Sequence, residues 1–276
     1  MRFLNLTVCV VLAAAGGWWL WENETTRNLI AQYVENGDFT TLEARYTAEQ
    51  IMEQRKSELI GNTARTYYAT DLKFHPYILM DVKYALPDKK TREGVILWSL
   101  VDGEMVLNTE TWEKTHGFED TINADANPED FKLLNALAKN GGKMSRDQLQ
   151  KSLNMDHDTI EPWLISVKQK HLVLLNGNEV QLHFQNPKIS VTPQTKITQW
   201  LVSKPYNHAQ RVSRKYTPLQ IKRISKAAFG SEFTIRHVEE VFLPVYRIDV
   251  ANPDGSILTS YWNALNGQRI APTYLN

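Results

Sequence analysis

Hydrophobic and polar positions toward the end of the chain switch from a helical to an extended period. Thr217 and Gln220 form a Ser/Thr-x-x-Gln capping box, Pro218 stands at the first helical position, Ile221, Ile224 and Ala228 make one apolar stripe, and Gly230 stops it. Extended runs follow at Val241 to Val250, Ile257 to Ala264 and Gln268 to Ile270. Between them lie Asn252-Pro253-Asp254-Gly255 and Asn266-Gly267. Asp-Gly and Asn-Gly turns between runs of β-type residues predict an antiparallel meander.

The same text occurs earlier in the chain. FHPYILMDV (Phe74 to Val82) is answered by FLPVYRIDV (Phe242 to Val250), so Pro76 matches Pro244. Tyr46, Thr47 and Gln50 are answered by Tyr216, Thr217 and Gln220; Pro87-Asp88 by Pro253-Asp254; Trp98 with Gly103 by Trp262 with Gly267. The order never changes, and the separation between matching residues shrinks steadily, as small loop deletions would produce. This predicts two copies of a module made of a helix followed by about three strands. The YWNALNGQRI ending, with aromatics before a small-residue turn and a closing strand, resembles the PepSY and cystatin-like helix-plus-curled-sheet modules, although the acidic residue expected before the last turn is Asn263 here. That resemblance implies a role in interaction or inhibition.

The stretch 127–186 has another texture. Asn127-Pro128-Glu129-Asp130 opens a helix with Phe131, Leu134 and Leu137 on one face and Asn140-Gly141-Gly142 at its end. Ser145 and Gln148 cap a second helix, with Leu149 and Leu153 inward and Asn154 after it. Asp156 opens a third, burying Ile160, Leu164 and Val167. Leu172 to Leu175, the turn Asn176-Gly177-Asn178 and the alternating Val180 to Phe184 complete a hairpin. Three helices and a hairpin resemble the winged-helix regulators, including the exit Lys170-His171-Leu172-Val173. A DNA-reading third helix offers basic or amide side chains to the major groove. This one offers Asp156, Asp158, Glu161 and Pro162, and carboxylates repel a polyanion.

Phe3 to Trp21 carries no charge and is about as long as a spanning helix. Arg2 precedes it, Glu22 and Glu24 follow, and Trp18, Trp19 and Trp21 suit a headgroup layer, so the expectation is a single-pass inner-membrane anchor with the N-terminus cytoplasmic and the bulk periplasmic. Ala13-Ala14-Ala15 before Gly16 supports the alternative, a cleaved signal and a secreted or periplasmic product.

The remaining composition is that of an ordered protein, with 42% hydrophobic and 22% charged residues. Lys+Arg and Asp+Glu are both 31, so no overall excess recruits nucleic acid or anionic lipid. The lone Cys9 rules out an internal disulfide. The seven histidines show no HExxH spacing, and His157 between Asp156 and Asp158 reads as part of a helix cap. Gly-x-Ser-x-Gly and phosphate-cradling motifs are missing, so neither catalysis, a metal nor a cofactor is expected. Charge is nevertheless segregated. Lys204, Arg211, Arg214, Lys215, Lys222, Arg223 and Lys226 lie in a segment without acids, and they are the candidate partner or lipid surface. Val101 to Asp130 holds nine acids against Lys114. Either these are solvated faces, or the two segments dock on each other or on a partner. Trp98, Trp112, Trp163, Trp200 and Trp262 are expected in the core or at module contacts.

The sequence thus predicts an α+β protein: a signal-anchor or signal peptide at 1–27, a first helix-plus-sheet module at 28–126, a winged-helix-like domain at 127–190 and a second module at 191–276. The function expected is a membrane-anchored extracytoplasmic interaction or assembly component. Its partners would be other envelope proteins, the membrane through residues 3–21, or a second copy of the chain, with nucleic acid disfavoured. A membrane-tethered winged-helix DNA-binding regulator and an inhibitor or chaperone of a secreted peptidase are the alternatives. A reporter enzyme fused after Asn276 is expected to be active only in its periplasmic form; activity of a cytoplasmic reporter at the same position would reverse the topology.

Overall fold

The computed structural model describes residues 38–61, 64–86, 88, 90–205 and 209–270. The apolar run 3–21, Pro87 and His208 lie outside the described residues. Among the described residues no helix is long and apolar enough to cross a membrane.

The fold is α+β. The first part of the chain gives β1 (Asp38–Leu42), α1 (Ala48–Gln54), α2 (Lys56–Leu59), β2 (Thr66–Ala85), β3 (Thr91–Ser99), β4 (Met105–Asn108), β5 (Glu113–Lys114) and α3 (Phe118–Asn123). The middle gives α4 (Pro128–Lys139), β6 (Lys143–Ser145), α5 (Arg146–Leu153), α6 (His157–Gln169), β7 (Val173–Asn176) and β8 (Glu179–Leu182). The last part gives β9 (Leu201–Pro205), β10 (Gln210–Arg211), α7 (Pro218–Phe229), β11 (Thr234–Ala251), β12 (Ile257–Asn263) and β13 (Arg269–Ile270).

One large sheet runs β13-β12-β11-β2-β3-β4-β5, with β1, β9 and β10 attached beside the central pair. That central pair, β2 and β11, is long and antiparallel. Phe74 faces Pro244, His75 faces Leu243 and Pro76 faces Phe242. Each strand therefore presents its Phe-x-Pro triplet to the other in reverse, centred on His75 and Leu243. A proline inside a central strand removes a ladder donor. Here Pro76 O accepts from Leu100 N at 3.0 Å and Pro244 O from Ala264 N at 3.1 Å. The N and O of one strand residue point the same way, so each missing N–H faces away from the β2–β11 ladder. The prolines also mark where the outer edge changes partner. Before Pro76, β2 pairs with β10 at Lys73 and Phe74; from Tyr77 it pairs with β3. Before Pro244, β11 pairs with β1 at Phe242; from Val245 it pairs with β12.

The helices cross over. α1 and α2 lay Ile51 and Leu59 against Ile248, Val250 and Trp262, which belong to β11 and β12. α7 buries Ile221 and Ile224 in the cluster that holds Ile78, Met80, Val82 and Trp98 of β2 and β3. The lead-ins are tied in matching fashion. Tyr46 N and Arg45 N both donate to Ala264 O, while Tyr216 N and Lys215 N both donate to Leu100 O. Tyr46 lies over Gly267, and Tyr216 over Gly103. Gly103 has φ +71, and a Cβ there would meet Ile122 at 2.9 Å and Tyr216 at 3.0 Å, so both backbone and space require glycine. Trp98 and Trp262 are both buried beside these turns, but Trp98 Nε1 donates to Gly103 O and Trp262 Nε1 to Ser260 Oγ. Asn263, the departure from the acidic residue expected there, accepts from Leu265 N and so closes its own turn.

α4, α5 and α6 start where the sequence places them. Asn127 and Ser145 form reciprocal capping boxes with Asp130 and Gln148, and Asp156 caps α6 by accepting from Thr159 N. Ile160, Leu164 and Val167 are buried, and the hairpin β7–β8 turns at Gly177. Their core is continuous with that of the sheet through α3 and α7. The sequence reading needs several corrections. β2 and β11 are far longer than the nine-residue runs. Short β1, β5, β6, β9 and β10 and helix α3 are additional. Ala227, and not Ala228, is the buried alanine of α7. Trp200 is no core residue: it is 77% exposed, beside the edge strand β9.

Removing a buried tryptophan leaves a cavity that the β2–β11 frame cannot close. Trp262→Ala is expected to cost about 3–5 kcal/mol in urea denaturation, and Thr217→Ala, which removes only a helix cap, about 1 kcal/mol.

Candidate functional site

Three places gather chemistry: a buried charge cluster under the sheet, the outer face of α6, and a groove between α4 and α7.

The buried cluster comes from the acidic stretch, which is less of a solvated loop than its composition implies. Asp102, Glu104 and Asp130 are buried. Asp102 holds Lys114 Nζ at 2.5 Å and accepts from Glu104 N. Lys114 also lies 5.5 Å from the Tyr77 ring centre and 5.9 Å from that of Trp112. Burial alone would lower the Lys114 pKa, but the Asp102 carboxylate and the Tyr77 hydroxyl together raise it, so it stays charged. Glu104 takes donors from Thr115 Oγ1 at 2.6 Å, Gly117 N at 2.8 Å and Glu119 N at 3.1 Å, which makes it the anchor of the first turn of α3. Burial pushes its carboxyl up to about 6 against those donors. His75, at the centre of the β2–β11 pairing, is buried with no partner on Nε2. Burial, then the charge of Lys114, lowers its pKa to about 4. The whole cluster is an internal prop of the sheet and of the α3 loop. Nothing in the composition of 101–130 marks which acids point inward.

The seven basic residues do not form one free patch. Lys215 pairs with Glu119 at 2.7 Å and Arg223 with Asp125 at 2.7 Å, so part of the basic segment docks on the acidic one within the chain. Tyr216 OH joins them through Glu119 and Asn123. Arg211 stacks 5.0 Å from the Phe39 ring and 5.1 Å from that of Phe242, a packing role the sequence does not reveal. Lys204 lies on β9 opposite Phe39. Arg214 and Lys222 are half-buried, and Lys226 is exposed.

On α6, His157, Asp158, Pro162, Ile165 and Lys168 face outward, and Ile165 is 51% exposed. Glu161 is tied to Arg146 at 2.6 Å, so the guanidinium nearest this helix is already matched. Asp156 serves as the cap, and its own carboxyl is held below the usual range by the Thr159 hydroxyl and N–H. Among the described residues no group of three or more His, Cys, Asp or Glu side chains is arranged to hold a metal ion.

The groove is ≈ 700 Å³ and opens between α4, α7 and the start of β11. Phe131, Phe229, Phe233 and Ile235 form its apolar lining, with Lys132 and Lys226 among its polar groups. Asn135 contributes a buried Oδ1 with no hydrogen-bond partner. No sequence motif announces it, because its walls come from residues a hundred positions apart.

No family model matches this chain, and no curated protein or solved structure matches it.

His75 gives a pH test. A histidine held at about 4 in the fold and at 6.5 when unfolded binds fewer protons folded, so stability is full above pH 6.5 and falls as pH drops toward 4. His75→Leu, which copies Leu243 across the pair, removes this loss. In urea titrations the acid-side decline is expected to shrink by up to roughly 3 kcal/mol relative to wild type. Glu104 acts oppositely: its raised carboxyl makes stability fall as pH rises from about 4.5 to 6. The comparison with the variant isolates His75.

Proposed function

We propose that this protein is an extracytoplasmic interaction or assembly component, tethered to a membrane by residues 3–21, in which two copies of one helix-plus-sheet module clasp each other and carry a winged-helix-like domain on the connection between them. The duplication draws support from the reversed Phe-x-Pro triplets and from the matching ties of Tyr46 to Ala264 and Tyr216 to Leu100. The modules have exchanged their opening helices, so together they make a rigid platform.

The observation that carries the reading is the outer face of α6. A helix that enters a DNA groove sets cations against phosphates. This face shows Asp158, Pro162 and Ile165, with Lys168 only at its far end, and its neighbouring Arg146 is bound to Glu161. An exposed isoleucine beside a carboxylate and a proline suits a protein partner, where apolar anchors supply the affinity and charges the specificity. The helix-and-hairpin layout speaks for the alternative, a tethered DNA-binding regulator.

A photo-crosslinking side chain at Ile165, in the full-length chain in cells, separates the two. The expected result is a discrete protein adduct that disappears with Asp158→Lys. Salt-dependent retention of duplex DNA by the full chain, with no protein adduct at Ile165, would overturn the proposal.

A further inference from the structure

We propose that the groove between α4 and α7 binds an extended peptide segment that carries a large apolar side chain next to a carboxylate. This deepens the interaction reading above and rests on it, naming a second contact and the chemistry of its occupant.

Four observations converge. The volume, ≈ 700 Å³, lies in the range of ligand sites and greatly exceeds a packing defect. Its floor is aromatic: Phe229 lies 5.1 Å from Phe233 and 6.2 Å from Phe118, ring to ring, so a bulky apolar side chain would find flat, preorganised partners. Its charge is one-sided, because the lining holds Lys132 and Lys226 and no carboxylate. The Lys132 ammonium rests over the Trp163 ring at 5.5 Å. Lys226 is exposed, and among the described residues it has no ion-pair partner, so it is the cation left to meet an acid.

The fourth observation selects a peptide over a fatty acid. Asn135 Oδ1 has no partner within the protein and is sealed from solvent where it stands, so a turn of this lining side chain toward the groove would present an acceptor that needs an N–H or O–H donor. A backbone amide supplies one; an ionised carboxylate on an alkyl chain supplies none. The groove also runs to Thr234 and Ile235, where β11 begins. Between Thr234 and Glu239, β11 pairs with β2 on one side, and among the described residues no strand pairs with its other side. An extended segment leaving the groove would meet free main-chain donors and acceptors, the basis of strand addition.

The probes are short labelled peptides that alternate Phe with Glu, Phe with Lys, or Phe with Ser, titrated into the full-length protein by fluorescence anisotropy, with dodecanoate as competitor. Lys226→Glu inverts the charge at the rim, and Ala228→Trp fills the groove from a half-buried position. The Phe–Glu peptide is expected to bind best. Lys226→Glu is expected to weaken it by about tenfold or more, and to improve the Phe–Lys peptide. Ala228→Trp is expected to abolish both while far-ultraviolet circular dichroism and the urea midpoint stay close to wild type. The proposal fails if the Phe–Glu peptide does not bind, if it binds both variants as it binds wild type, or if dodecanoate binds in a Lys226-dependent way where the peptide does not. Where the groove fails by these outcomes, a discrete protein adduct at Ile165 still leaves the broader interaction reading standing.

Discussion

The antiparallel pairing of β2 with β11 is the constraint from which the other contacts follow. With His75 set opposite Leu243, the register of both long strands is fixed, and with it the two points at which their outer edges change partner. A slip by one residue would turn Ile78, Met80 and Val82 away from α7 and Ile248 and Val250 away from α1, so the alternation of the side chains guards the register. The prolines are compatible with the centre of a sheet only because their missing donors point outward, to the places where β3 and β12 end.

On this frame the helices and turns behave as latches. Tyr216 and Lys215 bind Leu100, Tyr46 and Arg45 bind Ala264, and the glycines at 103 and 267 leave room for the tyrosine rings. The ion pairs of Lys215 with Glu119 and Arg223 with Asp125 lie on the surface and add little energy individually. Their value is orientation, since they bring α7 against α3 and so shape the wall of the groove. The buried Lys114–Asp102 pair is different, because loss of either partner would strand a charge inside the protein.

Much of this was written in local signals. The Thr–Gln boxes at Thr47 and Thr217 mark helix starts because the chemistry of a cap lies within four residues. Gly103 and Gly267 mark turns for the same reason, and Trp98 and Trp262, which match in the sequence, are both buried. What stayed hidden is long-range. A stripe such as Ile221 and Ile224 says that a helix face is buried but not against which strands, so the packing of α7 on β2 and β3 and of α1 on β11 and β12 could not be read. β1 and β10 are short and owe their form to neighbours, Phe242 and Phe74, distant in sequence. Asp102 and Glu104 look like solvated acids until Lys114, Thr115 and the N–H of Gly117 are seen beside them. Trp200 shows the opposite case, a large aromatic expected in the core or at a module contact that the fold leaves 77% exposed.

The packing of α1 on β11 and β12 bears on how the chain acquires its shape. α1 is made well before its seat on Trp262, which lies some two hundred residues further along the chain. Synthesis therefore delivers a long polypeptide in which α1 must wait unpaired, in a topology rich in distant contacts and hence slow to close. Nascent-chain protection would matter more for this architecture than for one in which each half completes itself in turn.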